Sequence, residues 1–156
     1  MILAIDPGNV ESAYCLIDRE TYKPIEFGKI KNYELVYKIK ENGFSYYDDF
    51  VIEMVASYGM AVGKEIFETC VWIGRFIEAS RIIEPKYIYR KEVKINLCNS
   101  MKAKDSNIRQ ALIDRFAKFD FKNGKGKKTT PDFFYGFSKD VWSAYAVGIT
   151  QLDKEK

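Results

Sequence analysis

The chain has 156 residues, of which 47% are apolar and 30% are charged, a balance typical of a globular domain with a substantial core. Its formal net charge of +3 is too small to identify a polyanionic partner by itself. The sequence contains no histidine. This excludes Ser-His-Asp and Cys-His catalysis, histidine metal ligands and a histidine general base, so that any catalysis must use carboxylates, lysines, hydroxyls or a bound metal.

The cysteine content argues against zinc, iron–sulfur and disulfide frameworks. Cys15, Cys70 and Cys98 are widely spaced and form no Cys-x-x-Cys pair. We expect them to be small buried residues in a reducing cytoplasm. The first residues do not resemble a signal peptide, and no apolar run approaches the roughly 20 residues that span a bilayer. The sequence therefore predicts a cytoplasmic protein without a membrane partner.

The first half of the chain predicts three neighbouring strands, a helix and a fourth strand. Close apolar runs separated by turn signals favour an antiparallel meander, with Ile25 and Phe27 facing inward on its third strand. Asn32 is a candidate cap for the helix. The predicted strands cover 1–6, 12–18, 25–31 and 50–55, and the helix covers 32–40.

The second half predicts mainly helices. The longest, at about 62–83, carries Ile66, Cys70 and Ile73 at the 3.6-residue period and is the candidate dimer element, although the same face could simply cover the sheet. The further elements are a strand at 86–89, helices at 92–97, 105–119 and 139–152, and a loop at 120–137. This order predicts an α/β fold, a mixed sheet flanked by helices, in one domain over 1–156.

Positive charge is concentrated in two segments of the second half. Residues 86–104 hold six basic residues against one acid, and residues 118–128 hold five against one. Clustered lysines near aromatic residues are typical of proteins that contact phosphate backbones, although a solvated face and a flexible loop give the same pattern. The candidate nucleic-acid contacts are Arg90, Lys91, Lys94, Lys102, Lys104, Lys125, Lys127 and Lys128.

Three acids are candidate metal ligands. Asp6 ends an apolar strand, and Glu53 interrupts another, where an unpaired carboxylate is costly to bury. An ion pair with a lysine is one explanation for a buried carboxylate at Asp6 or at Glu53. Asp140 begins the last helix, a place where the helix dipole by itself favours an acid. Convergent carboxylates without histidine suit magnesium, and two such ions about 4 Å apart hydrolyse phosphodiesters.

Four stretches resemble the motifs of the RuvC-type Holliday-junction resolvases, within the RNase H-like superfamily. Residues 2–9, Ile-Leu-Ala-Ile-Asp-Pro-Gly-Asn, resemble the opening motif, and 51–53 before a long helix resembles the second. Residues 93–104 with the helix that follows are similar to the two-lysine region, and 140–146 resembles the final Asp-x-x-Asp-Ala-x-Ala helix. The short length and divergence from the bacterial pattern resemble a bacteriophage branch, which implies the host cytoplasm.

The resemblance implies an RNase H-like five-stranded sheet and a homodimer that nicks opposing strands of branched DNA, four-way junctions above all. By motif position, Asp6, Glu53 and Asp140 would hold Mg²⁺, for which Mn²⁺ could substitute. Lys94 and Lys104 would contact phosphate near the scissile bond.

The last motif departs from the family because Ser143 stands where a second acid is usual. Three explanations are open: three acids suffice with Ser143 as a weak ligand, Asp132 swings in from the preceding loop, or Ser143 inactivates the site. Because of Ser143, a junction-binding protein with little or no cleavage is an alternative function. An RNase H-like RNA-processing nuclease is another, because its opening motif also places an Asp and a Gly after a strand.

Overall fold

The computed structural model describes all 156 residues. Five strands form the main sheet, and helices cover both of its faces. In chain order the elements are β1 Ile2–Asp6, β2 Glu11–Ile17, β3 Pro24–Lys31, α1 Asn32–Lys40, β4 Asp49–Met54, α2 Lys64–Ser80, β5 Lys86–Tyr89, α3 Arg90–Cys98, α4 Asp105–Phe116, β6 Gly126–Lys127, β7 Thr130–Pro131 and α5 Lys139–Lys154.

The main sheet is mixed, with strand order β3-β2-β1-β4-β5. β1, β2 and β3 form the predicted antiparallel meander, whereas β4 and β5 run parallel to β1. Parallel neighbours need crossover connections, which α1 and α2 supply between these strands. The predicted fold class, an α/β mixed five-stranded sheet flanked by helices, is confirmed. A small separate hairpin, β6–β7, lies in the segment predicted as a loop.

Each face of the sheet carries its own apolar cluster. Ile2, Ala4 and Val51 face α5, while Leu3, Ile5 and Ile52 face the opposite side, towards α1 and α2. Successive side chains of a strand point to opposite faces, and a strand covered on both faces must therefore be apolar throughout. This explains the unbroken apolar run of β1, and it places the side chain of Asp6 on the α5 face.

Helix α5 lies unusually close to the sheet. A Cβ atom added at Gly148 would stand 2.3 Å from Cδ1 of Ile17 and 3.1 Å from Cβ of Ala4. Ala144, one turn earlier, is fully buried. Small residues spaced by one turn therefore allow the helix backbone to pack closely against β1 and β2. This close packing determines the position of the first turn of α5, which carries Asp140, relative to the sheet.

Several local predictions are wrong. Asn32 does not cap α1, because its side chain bonds instead to the loop after β1. Ile25 is exposed on the edge strand, and Ile66 lies outside the buried stripe of α2, which runs through Thr69, Ile73 and Phe76. Only Cys15 is fully buried, while Cys70 and Cys98 are partly exposed. No helix has the length and apolar composition needed to cross a bilayer.

Candidate active site

Asp6 and Glu53 meet at one edge of the sheet. β1 and β4 are parallel neighbours, with Ile5 opposite Ile52, so the next residue of each strand is an acid. Both side chains belong to the face that α5 covers, since Ala4 and Val51 precede them by two residues on that face. Glu53 lies close enough to Asp6 for its charge to raise the pKa of the Asp6 carboxyl group, and the sheet register brings these sequence-distant acids together.

Asp140 joins the same site from α5. It lies in the first turn of that helix, partly exposed, and its carboxylate accepts a hydrogen bond from Nζ of Lys29 at 2.5 Å. Asp6, Lys29 and Asp140 line one cleft of about 390 Å³, together with the turn at Gly8. The three predicted acids therefore converge on this end of the sheet, and a lysine that no motif predicts lies among them.

The negative charge around Asp6 is incompletely compensated. Burial raises the pKa of its carboxyl group well above the usual range, and the nearby charges of Glu53 and Asp140 raise it further. Arg90 opposes this effect to a smaller degree. A hard divalent cation prefers such an all-oxygen donor set, and it would relieve the repulsion between these acids. The acids do not form a ready-made cage of three metal-binding side chains, but their donor chemistry fits magnesium.

A buried polar network holds the turn that follows Asp6. The backbone N–H of Gly8 donates to Oγ of Ser12 at 3.0 Å, and Ser12 donates in turn to Oδ1 of Asn32 at 2.6 Å. The Asn32 amide closes the network by donating to the Gly8 carbonyl at 2.8 Å. Ser12 and Asn32 are each 1% exposed. A Cβ at residue 8 would stand 2.3 Å from the Glu11 carbonyl oxygen, so this tight turn requires glycine.

Arg90 links the acidic site to the basic segment that follows β5. Its guanidinium lies 3.7 Å from Oε1 of Glu53 and forms an ion pair with Asp105 at the start of α4. Lys94 lies one helical turn after Arg90 and is half-buried, and Lys104 precedes Asp105 directly. Both predicted lysines therefore lie near the Arg90–Asp105 ion pair, Lys94 one turn further along α3 and Lys104 next to Asp105. Lys91 and Lys102 are exposed nearby in sequence, on α3 and on the turn after it.

The second basic segment is an ordered hairpin rather than a structureless loop. The Asp132 carboxylate accepts hydrogen bonds from the backbone N–H groups of Lys118, Phe119, Asp120 and Phe133. These bonds hold the pKa of Asp132 down, at about 2, against the opposing effect of burial. The oxygens of Asp132 are thus occupied by hydrogen bonds within the hairpin segment. The structure therefore does not support the predicted alternative in which Asp132 swings into the site as a metal ligand.

The hairpin lies beside the start of α5. A cleft of about 450 Å³ separates it from α4, with Trp142 among the residues that line it. Arg109 stacks over the Trp142 ring at 5.6 Å, and Lys125 lines the opposite wall. Lys127 and Lys128 are exposed on the hairpin. Ser143 is partly exposed one turn after Asp140, so the position of the missing acid faces the same end of α5.

Sequence reasoning missed three residues of this region. Lys29 and Asn32 carry no motif signal, because their roles depend on which strands become neighbours. Arg109 lies outside both of the charged segments. A lysine two residues before the end of an edge strand is unremarkable in sequence, and only the pairing of β1 with β2 and of β2 with β3 brings Lys29 near Asp6.

Comparison with known proteins shows the fold. No protein-family model and no curated protein sequence matches this chain. Thermus thermophilus RuvC is similar in structure, with a TM-score of 0.69, 10% identity and coverage of 99% of this chain and 95% of RuvC. RuvC from the same organism in complex with a Holliday junction substrate gives a TM-score of 0.70, again at 10% identity, over 99% of this chain and 94% of that one.

A viral protein has the same architecture. The fowlpox virus resolvase, in complex with substrate Holliday junction DNA, matches with a TM-score of 0.55 and 16% identity over 99% of both chains. At these identities the likeness establishes a shared fold over nearly the whole length of each protein.

Proposed function

We propose that this protein is a magnesium-dependent, structure-selective DNA endonuclease that resolves four-way junctions by hydrolysing phosphodiester bonds. The observation that carries this proposal is the convergence of Asp6, Glu53 and Asp140 at one edge of the sheet, directly beside basic residues of α3. The fold shared with two Holliday junction resolvases supports the choice of branched DNA as substrate.

Asp6, Glu53 and Asp140 would together hold Mg²⁺, for which Mn²⁺ could substitute. Asp6 is central because Glu53 and Asp140 both act on its charge. Ser143, one turn after Asp140, offers a hydroxyl where the family resemblance implies an acid. Bound magnesium would polarise a water molecule and stabilise negative charge on the phosphate. The protein's own contribution would be to orient these carboxylates, and for Asp6 the Ser12–Asn32 network would do so by holding the turn that follows it.

The basic residues would bind the DNA backbone around this site. Arg90 and Lys94 lie on one face of α3, where Arg90 approaches Glu53, and Lys104 follows at the start of α4. Lys91 and Lys102 would extend this surface, and Lys125, Lys127 and Lys128 would contact a second stretch of backbone from the hairpin. Such contacts give affinity without sequence specificity, which suits recognition of a branched shape.

The proposed enzyme is a homodimer. A junction offers two strands related by approximate two-fold symmetry, and a two-fold dimer supplies two matching sites. The N-terminal half of α2 and the segment before it expose an apolar patch, which consists of Met60, Val62, Ile66, Phe67 and Val71. Phe67 and Val71 are 60% and 62% exposed. Several exposed apolar residues on one segment are typical of protein–protein interfaces.

The test is cleavage of a labelled four-way junction with and without Mg²⁺. We expect nicked product only with the metal, and we expect Asp6→Asn to bind the junction while cleavage falls by at least about 100-fold. An Asp6→Asn protein that nicks at the wild-type rate would contradict the site assignment. Asp114→Asn, on the exposed face of α4, is the matched control and should cleave normally.

A second candidate function is junction binding with little cleavage, and the serine at position 143 favours it. The same assay separates the two, because that function predicts a band shift without nicked product at any Mg²⁺ concentration. A structured RNA substrate included in parallel tests the RNA-processing alternative.

A further inference from the structure

We infer that Lys29 is a further catalytic residue, whose ammonium group takes the electrostatic place of a second divalent cation. The site would then work with one metal ion. This inference rests on the proposed function and adds a residue that none of the sequence motifs contains.

The sheet register places Lys29 on the same row as Asp6. Asp6 is paired with Ala13 across β1 and β2, and Ala13 is paired with Lys29 across β2 and β3. Residues directly opposite in neighbouring strands project from the same face of a sheet, so all three side chains point towards α5. The Cα atoms of Asp6 and Lys29 are therefore two strand spacings apart, about 10 Å.

Ala13, the residue between Asp6 and Lys29 in the sheet, does not block the Lys29 side chain sterically. Ala13 is small and 1% exposed, so the Lys29 side chain can extend above it towards the acids. Nζ of Lys29 reaches 2.5 Å from Oδ2 of Asp140, and both residues line the Asp6 cleft. The lysine thus belongs to the site by strand register as well as by this ion pair.

The charges of the site support the same assignment. Four carboxylates would balance two divalent cations, but Ser143 removes one of the four charges expected from the resemblance. Four acids line or adjoin the cleft, Asp6, Glu11, Glu53 and Asp140, and two cationic side chains, Lys29 and Arg90, lie among them. One divalent cation balances the two negative charges that remain, so with Lys29 present the site needs one metal ion rather than two.

Lys29 would act on the phosphate without exchanging a proton. In the hydrolysis a water oxygen forms the new bond to phosphorus, the bond to the 3′-oxygen breaks, and one proton passes from the water to the departing oxygen through solvent. The Lys29 ammonium remains protonated throughout. It would stabilise the negative charge that develops on the phosphate oxygens, the role that a second cation has in two-metal sites.

The experiment counts the metal ions bound by the full chain in the absence of DNA. Electron paramagnetic resonance of free Mn²⁺ in equilibrium titrations gives the number of ions bound per chain. We expect one Mn²⁺ for the wild type and two for the double variant Lys29→Gln/Ser143→Asp. Junction nicking should fall by about 100-fold or more in Lys29→Gln, with band-shift affinity retained, and should recover at least tenfold in the double variant.

Lys154→Gln is the matched control, because Lys154 is similarly exposed and pairs with Glu92 at 2.9 Å at the other end of α5. It should bind one Mn²⁺ and nick normally. Lys29→Arg, which keeps the charge, should be more active than Lys29→Gln, and thermal unfolding of each variant verifies that it is folded.

The outcomes separate the two proposals. Two Mn²⁺ ions in a wild-type protein that nicks junctions would overturn the role of Lys29 and leave the proposed function standing. Wild-type nicking by Lys29→Gln would have the same meaning. A wild-type protein that binds no Mn²⁺ and nicks no junction would instead contradict the proposed function itself.

Discussion

The hydroxyl of Ser12 donates a hydrogen bond to Oδ1 of Asn32 at 2.6 Å, directly behind the turn that carries Asp6. Neither side chain reaches the cleft, since both are 1% exposed. Their partner is the backbone of Gly8, two residues beyond the carboxylate. The position of Asp6 is therefore determined by a polar network that joins the start of β2 to the start of α1.

Asn32→Ala should destabilise the fold and weaken cleavage. The substitution leaves the Ser12 hydroxyl and the Gly8 carbonyl without their partner in a buried place, which costs about 1–3 kcal/mol. Urea unfolding measures the loss, and junction nicking should fall more than junction binding does. Asn96→Ala removes only an exposed bond to Asp153 and should behave as wild type. Equal stability of the two variants would contradict the role of the network.

Gly148→Ala should destabilise the protein by about 1–3 kcal/mol, because the new methyl group overlaps Ile17 at the contact of α5 with the sheet. Gly74→Ala on α2 is the control, since a Cβ there meets no atom within 4 Å. It should stabilise the protein by about 0.5–1 kcal/mol, the usual gain in a helix interior. Chemical denaturation of both variants shows whether the effects have opposite signs, and a neutral Gly148→Ala would contradict the close approach.

Asp132→Asn should remove part of the pH dependence of stability. The folded pKa of Asp132, about 2, lies below the unfolded value of about 3.9. Its contribution to stability is therefore fully present above roughly pH 4–5 and is lost as the pH falls towards 2. At pH 7 the variant should be less stable than the wild type, and the difference should shrink between pH 4 and pH 2.

Urea unfolding across this pH range provides the measurement for Asp132. Asp114→Asn, an exposed acid bonded to Gln110, is the control and should follow the wild type at every pH. A constant difference between Asp132→Asn and wild type down to pH 2 would mean that the hairpin does not depend on the ionised carboxylate.

Phe67→Glu should convert the proposed dimer into a monomer. A charge in the middle of the apolar patch on α2 would be buried without a partner in the interface. Sedimentation velocity at micromolar concentration distinguishes the two states. Ile83→Glu, at a residue that is 96% exposed beyond the end of α2, should leave the dimer intact. A wild-type protein that sediments as a monomer would argue against paired incision by a preformed dimer.

Lys127→Gln/Lys128→Gln should weaken junction binding and lower its salt dependence. Each phosphate contact that is lost reduces the slope of log K against log salt by about 1. We therefore expect the slope to decrease by about 1–2, with little change in cleavage at saturating protein. Lys23→Gln/Lys154→Gln removes the same charge elsewhere, and an equal change in slope there would indicate a general charge effect.

The sequence by itself determined the five strands of the main sheet, the five helices and the identity of the three candidate acids, but not the β6–β7 hairpin. The apolar runs that contain Asp6 and Glu53 indicate strands buried on both faces. Such strands are apolar throughout, so a single acid within one is exceptional. The helical period of the α4 sequence and the turn signals after β1 likewise identify their elements, since these patterns depend on local geometry. The absence of histidine excludes imidazole ligands from any metal site, because no arrangement of the chain can supply a side chain that the composition lacks.

Only the tertiary structure decided how these residues are arranged. Lys29 becomes part of the site because two antiparallel pairings put it in register with Asp6, and strand register depends on contacts far apart in sequence. The sequence favours Asn32 as a helix cap, but the buried Ser12 hydroxyl and Gly8 carbonyl bind its side chain more effectively than the helix N-terminus does. Asp132 is a candidate ligand by sequence, but backbone N–H groups of the hairpin surround its carboxylate. In each case a polar side chain has several possible partners, and packing selects one.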